Sequence, residues 1–170
     1  TSMELEFVRQ VYVKKEGTAA VKHLAQQHDI TLTCHASYYI NLNSAEREKR
    51  EASVKRLLDA ARITAMCGGY SVCVHAAYYQ KDPQQLVYQR VKDSLKSIMK
   101  TLRDEGHEIW VRPETGGKIN QFADSYELIK LAEEVEEVLP CFDFAHQYSR
   151  TLGKWNTTEE FRKLLSEIEK

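Results

Sequence analysis

Three prolines in 170 residues, no proline-rich or low-complexity tract and no internal repeat leave no stretch that reads as a linker. One domain spanning residues 1–170 is expected, with its boundaries at the chain ends. No stretch is apolar and uncharged for the ~20 residues that a membrane span needs, and the N-terminus has no basic-then-apolar signal pattern. A cytoplasmic chain without a membrane partner is therefore expected. Cysteine is sparse. Cys34, Cys67, Cys73 and Cys141 form no CxxC pair, and three of them lie in apolar runs rather than loops, which fits reduced thiols in a cytosol. An excess of positive charge is also missing: 24 Lys and Arg stand against 25 Asp and Glu. No polycationic field holds nucleic acid, so any DNA contact has to be local.

The apolar content of 42% is enough for a sizeable core. Short runs rich in β-formers recur at Met3–Val8, Ile30–His35, Tyr70–His75, Glu108–Pro113 and Leu139–Phe144. Each is followed by a polar segment of helical periodicity, at Thr18–His28, Ser44–Met66, Pro83–Glu105, Ser125–Glu137 and Thr158–Lys170. Ser44 before a charged stretch, and Asn156-Thr157-Thr158 before Glu159 and Glu160, read as helix starts. Strands alternating with helices imply a parallel sheet with right-handed crossovers. The fold class is α/β of the (β/α) TIM-barrel type, with about five consecutive βα units. A closed eight-stranded barrel takes about 250 residues, so a fragment or the middle of a barrel is expected.

The last residues of the strands are His35, His75, Glu114, and then Asp143 with His146. All are good ligands for zinc or a similar ion, and in such barrels strand ends converge on one pocket. A lone histidine ending a strand is usually structural; a potential ligand at four successive strand ends is a pattern. His23, His28 and His107 fall in helices or connectors.

Other motifs carry less. Gly116-Gly117-Lys118 lacks the earlier glycine and the following Ser or Thr of a P-loop, and its glycines read as a tight turn that lets Glu114 face the pocket. Arg47, Lys49, Arg50, Lys55 and Arg56 alternate with acidic residues and read as a solvated helix face. Arg150 and Lys154 are better placed for a phosphate at the pocket mouth. Cys34 is expected to point away from the pocket, and Cys73 to pack one layer below His75.

The segments His35-Ala-Ser-Tyr38-Tyr39-Ile-Asn-Leu, Val-His75-Ala-Ala-Tyr-Tyr, Arg-Pro-Glu114-Thr-Gly-Gly-Lys118 and Asp143-Phe-Ala-His146 resemble the strand-end motifs of the endonuclease IV family. Met3–Val8 resembles a strand of its archaeal-type branch. The resemblance spans essentially the whole chain. It implies an apurinic/apyrimidinic endonuclease on a TIM barrel, related to xylose isomerase-like sugar isomerases, with up to three zinc ions and with manganese or magnesium as alternatives. His35 and His75 would bind the first zinc, Glu114 would bridge the first and second as a ligand rather than a proton shuttle, Asp143 would join the second, and His146 would hold the third. Tyr38 and Tyr39 match a loop pressed into DNA beside the abasic nucleotide. The partner implied is double-stranded DNA with abasic sites, cut on the 5′ side of the lesion.

The same resemblance sets the family's first strand before Thr1. It sets a further His, an Asp-x-His pair and a final Glu after Lys170. On that mapping only the first metal keeps all its protein ligands. Two other readings stand beside the endonuclease. One is a sugar or sugar-phosphate isomerase or epimerase using a single divalent metal. The other is an inactive fragment or truncated paralogue that self-associates through exposed sheet edges.

Overall fold

The structure, a computed structural model, describes residues 1–169. Its elements in chain order are β1 (Ser2–Glu6), a 3-10 turn (Lys15–Gly17), α1 (Thr18–Gln27), β2 (Thr31–His35), α2 (Arg47–Met66), β3 (Ser71–Val74), β4 (Ala77–Tyr78), α3 (Gln84–Asp104), β5 (Trp110–Pro113), β6 (Gln121–Phe122), α4 (Ser125–Glu134), α5 (Phe144–Arg150) and α6 (Thr158–Ile168). Lys170, expected to end the last helix, lies outside the described residues.

Four strands form one parallel sheet in the order β1-β2-β3-β5. Side chains alternate across each strand, so Val72, Val74 and Val111 point to the helices while Cys73, Trp110 and Arg112 take the opposite, concave face. The helices supply the other half of the core. On α3, Val87, Tyr88, Val91, Leu95, Ile98, Met99 and Leu102 recur every three or four residues and are all buried, the stripe of a helix packed on a sheet. α2 adds Leu57, Ala60 and Ala61.

The register sets the strand ends side by side. Glu6 lies opposite His35, His35 opposite Cys73, and Val74 opposite Pro113. The ladder continues past the strands: Ala36 N–H donates to Cys73 O and Glu114 N–H to Val74 O, each at 2.9 Å. His35, His75 and Glu114 therefore stand at one edge of the sheet.

The expected fifth strand, Leu139–Phe144, is not a regular strand. Within it only Cys141 makes an isolated parallel bridge, to Glu114, and Val138 just before it makes another, to Val111. Pro140 has no N–H to give to the ladder. Asp143 then caps α5, its side chain accepting from His146 N–H, so Phe144 opens a helix. Ser44 is likewise not a helix cap: it is buried in the preceding loop, its carbonyl accepts from Arg50, and α2 begins three residues later. The start near Asn156 is a capping box between Thr157 and Glu160.

Two features join the loops above the sheet. β4 and β6 pair antiparallel, tying the segment after β3 to the segment after β5. The fully buried Asn43 links the loop after β2 to the same region: its Nδ2 donates to Tyr78 O at 3.0 Å and to Asp82 at 3.2 Å, and its Oδ1 accepts from Arg90 at 2.8 Å. Asn43→Ala leaves Tyr78 O and Arg90 short of partners and is expected to lower stability by about 1–3 kcal/mol. Urea denaturation measures this, and an unchanged midpoint would show that the network only decorates the fold.

Candidate metal centre

Glu114 is the hub. It is 7% exposed, and its Oε2 faces His35 Nε2 at 3.2 Å, His75 Nε2 at 3.3 Å and Cys73 Sγ at 3.4 Å. Its Oε1 faces His146 Nδ1 at 3.1 Å. Two sets of ligand atoms gather here, each within 4.8 Å of one another: His35, His75 and Glu114, and Glu114, Asp143 and His146. Glu114 belongs to both. His146 thus groups with Asp143 and Glu114, whereas the family mapping assigned it to a separate third ion.

The donor set suits a cation. His35 Nδ1 lies 2.8 Å from Ala36 O, and because a carbonyl only accepts, that nitrogen carries a hydrogen. In the neutral ring Nε2 is then a lone pair aimed at the lone pairs of Glu114 Oε2. Only a proton or a metal ion between them removes the conflict. His75 has the same difficulty: its Nδ1 is buried without a hydrogen-bond partner among the described residues, so no tautomer satisfies both of its nitrogens. The residues present fit a divalent ion, with the Ala36 carbonyl orienting the His35 ring from behind.

The electrostatics agree with that reading. Burial raises a carboxyl, yet the His35 hydrogen bond, the His75 ring and the Cys73 thiol outweigh it and hold Glu114 below the ordinary carboxylate value. Burial pulls His35 down, but Glu114 and Ala36 O leave it above the ordinary histidine value. For His75 burial wins, and its value is lowered. Of the two rings, His35 is therefore the one that binds a proton more readily.

The matching family model is described as the xylose isomerase-like TIM barrel, and it covers residues 1–169. The chain belongs to the xylose isomerase-like TIM barrel family. An uncharacterized protein of Methanocaldococcus jannaschii is 38% identical over 168 residues, covering 99% of this chain and 60% of that protein. The chain thus spans less than two thirds of this relative. Among solved structures, endonuclease IV from Thermus thermophilus superposes with a TM-score of 0.73 at 22% identity, over 95% of this chain and 56% of that one. A D-tagatose 3-epimerase-like protein gives 0.75 at 18% identity, over 96% and 62%. A D-psicose 3-epimerase from Clostridium cellulolyticum gives 0.74 at 14%, over 97% and 60%. The family barrel therefore carries more than one chemistry, and at these identities the likeness is one of fold.

The remaining candidate residues fall in two classes. Tyr38 and Tyr39 are 58% and 63% exposed, and the Tyr38 ring stands 5.3 Å from His35 and 6.2 Å from His75, stacked on the latter. Tyr38 rims the centre, whereas Tyr39 lines a cleft with Asn41, Lys49, Arg56 and Gln80. Arg150 is occupied instead: its Nη1 donates to Gly116 O at 3.3 Å and to Lys118 O and Gln121 O at 2.7 Å. It holds the loop after β5 in place, which corrects its reading as a cation open to phosphate through that nitrogen. Lys154 is exposed on the segment after α5. Among the described residues, no helix is long and apolar enough to cross a membrane.

Sequence reasoning overlooked three contributors. Cys73 sits a layer below His75 as expected, but its thiol also donates to Glu114; contact with Cys141, burial and the Glu114 charge push its pKa up and keep it protonated. Cys34 does point away, into the core, where burial pushes it up to about 12. Thr115, adjacent to Glu114 and fully buried, exchanges hydrogen bonds with the Asp143 backbone: its Oγ1 accepts from Asp143 N–H at 2.9 Å and lies 3.2 Å from Asp143 O. Gly117 matters through space rather than through a turn that frees Glu114. A Cβ there would lie 2.8 Å from His146 Cδ2.

Two outcomes follow from this geometry. Gly117→Ala displaces the His146 ring and is expected to weaken metal binding at the Glu114-Asp143-His146 group about 10- to 100-fold, with the His35-His75-Glu114 group little changed; titration calorimetry separates the two. Metal must also compete with a proton for His35. Affinity is full above the raised His35 value and is lost as pH falls through it, with proton release that calorimetry in buffers of different ionisation enthalpy detects. An affinity independent of pH below neutrality would exclude His35 as a ligand.

Proposed function

We propose that the chain carries part of the catalytic centre of a metal-dependent phosphodiesterase of the endonuclease IV type, which cuts duplex DNA on the 5′ side of abasic sites. The observation that carries the reading is the single carboxylate, Glu114, common to two ligand groups. Residues grouped in this way would hold two cations, a set that suits in-line displacement at phosphorus. Divalent ions held by His35, His75, Glu114, Asp143 and His146 would supply Lewis-acid activation of water and neutralisation of charge on the phosphoryl and leaving oxygens. Imidazole with carboxylate favours zinc, and then manganese, over magnesium, whose preferred ligands are all oxygen.

The chain's own residues do the rest. Glu114, held ionised, is a ligand and not a proton carrier. Cys73 and Ala36 O fix the carboxylate and the His35 ring, and Thr115 fixes Asp143. Tyr38 beside the centre and its neighbour Tyr39 present flat, exposed rings, suited to stack on the bases that flank a missing one. Lys154 is available to a backbone phosphate. Since the chain spans 60% of its curated relative, the complete activity belongs to the whole protein.

The His35-His75-Glu114 group alone would serve a one-metal sugar epimerase. That reading leaves the second group and the exposed tyrosines without a task. The test is incision of an oligonucleotide duplex bearing one abasic analogue by the natural protein. Cleavage 5′ to the lesion is expected; chelation abolishes it, zinc restores it, and Glu114→Gln lowers it on the order of 10³-fold. Epimerisation of a ketohexose without any incision would replace this reading with the epimerase.

A further inference from the structure

The six cations of α2 are not equivalent, Arg62 being paired with Asp59 and Glu105. Arg47 pairs with Glu51, Lys49 with Glu46 and Lys55 with Asp59, while Arg50 donates to the Ser44 and Ala45 carbonyls. Arg56 has no ion-pair or hydrogen-bond partner among the described residues, although the same helix offers acidic neighbours. Nor has the guanidinium of Arg9, just beyond β1.

These two arginines share a hollow. Arg9, Gln10, Ser37 and Arg56 line a cleft of about 250 Å³. Arg56 also lines a second cleft of about 390 Å³, with Tyr39, Asn41, Lys49 and Gln80. Arg56 is common to both clefts, which together form a trough lined by polar and apolar groups, Arg9 and the exposed ring of Tyr39 among them. Carboxylates in it are already neutralised: Asp59 faces Lys55 and Arg62, and Glu46 faces Lys49. Two uncompensated positive charges remain, in a chain whose overall charge is −1. An unpaired surface guanidinium is ordinary; two lining one cleft, whose Ser37 directly precedes the Tyr38 that stacks on His75, offer an anion site, and the planar fork of Arg matches phosphate oxygens in pairs.

We propose that Arg9 and Arg56 bind a backbone phosphodiester of the nucleic-acid strand as it leaves the metal centre past Tyr38 and Tyr39. The inference rests on the endonuclease reading and adds where the strand goes. A small sugar lying over Glu114 has no need of this trough; a polymer does. The site also accounts for how a chain without net positive charge holds DNA, through a few placed contacts.

The experiment is fluorescence anisotropy of a duplex with one abasic analogue, bound to the natural protein in chelator so that it is not cut. Arg56→Ala and Arg9→Ala are each expected to weaken binding about tenfold at low salt and to reduce the slope of log affinity against log salt by about 1. Lys55→Ala removes the same charge one residue away but outside the trough, and is expected to change affinity less than about twofold. All three positions are exposed, so folding is retained. A single neutral methylphosphonate walked along each strand should reveal one position at which Arg56→Ala no longer matters. Equal losses for Arg56→Ala and Lys55→Ala, no loss for either, or the absence of any such position would overturn the proposal while leaving the endonuclease reading intact. A native protein that binds no duplex at all overturns both.

Discussion

The arrangement turns on a shortage of protons around one carboxylate. Glu114 is ringed by three imidazoles whose nitrogens lie 3.1 to 3.3 Å from its oxygens; His146 Nδ1 also faces Thr115 O and so carries a hydrogen, whereas His35 has its hydrogen committed to Ala36 O on its far side. Lone pairs facing lone pairs in a buried site are costly, and the cost is greatest where water cannot enter. A cation is the remedy that the residue types themselves supply a place for. The raised value of His35 and the unpartnered nitrogen of His75 express that constraint, while the lowered value of Glu114 records the donors and rings that already favour its anion.

The fold serves this cluster through register. Parallel strands advance by fixed steps, so the edge at which β2, β3 and β5 end is one line, and residues 35, 75 and 114 meet on it although 79 positions separate the first from the last. Above that line the loops are not left to themselves. The β4-β6 ribbon, the Asn43 network and the Arg150 clamp each join two segments. A ligand cluster needs such support, because side chains misplaced by an ångström bind metal poorly.

Much of this was legible in the residues. Alternation of β-rich runs with helical periodicity located four strands and five helices, and the strand-end rule found His35, His75, Glu114, Asp143 and His146, which the structure brings together. What escaped was what depends on contact across the fold. Leu139–Phe144 has the composition of a strand, but Pro140 and the capping preference of Asp143 broke it; both signals were in the sequence and were outweighed by β-propensity. β4 and β6 are two residues each, too short for any period. The reach of Cys73 to Glu114 and the room that Gly117 leaves for His146 are distances between segments, which spacing along the chain does not encode. The α2 face was read as evenly solvated because an alternating pattern does not show which cation lacks a partner.

Asp143 does two jobs with its two oxygens. Oδ1 accepts from His146 N–H at 2.8 Å and starts α5, while Oδ2 stands 3.6 Å from His146 Nδ1, among the candidate ligands. Helix initiation and ligand chemistry are therefore written on the same side chain, and they impose different demands. Asparagine can keep the cap and discard the charge; glutamate can keep the charge but, one methylene longer, not the cap. Neither neighbour in chemistry replaces aspartate, so this position has no gradual route of change even though it lies outside the hydrophobic core. The helix and the centre have to be altered together.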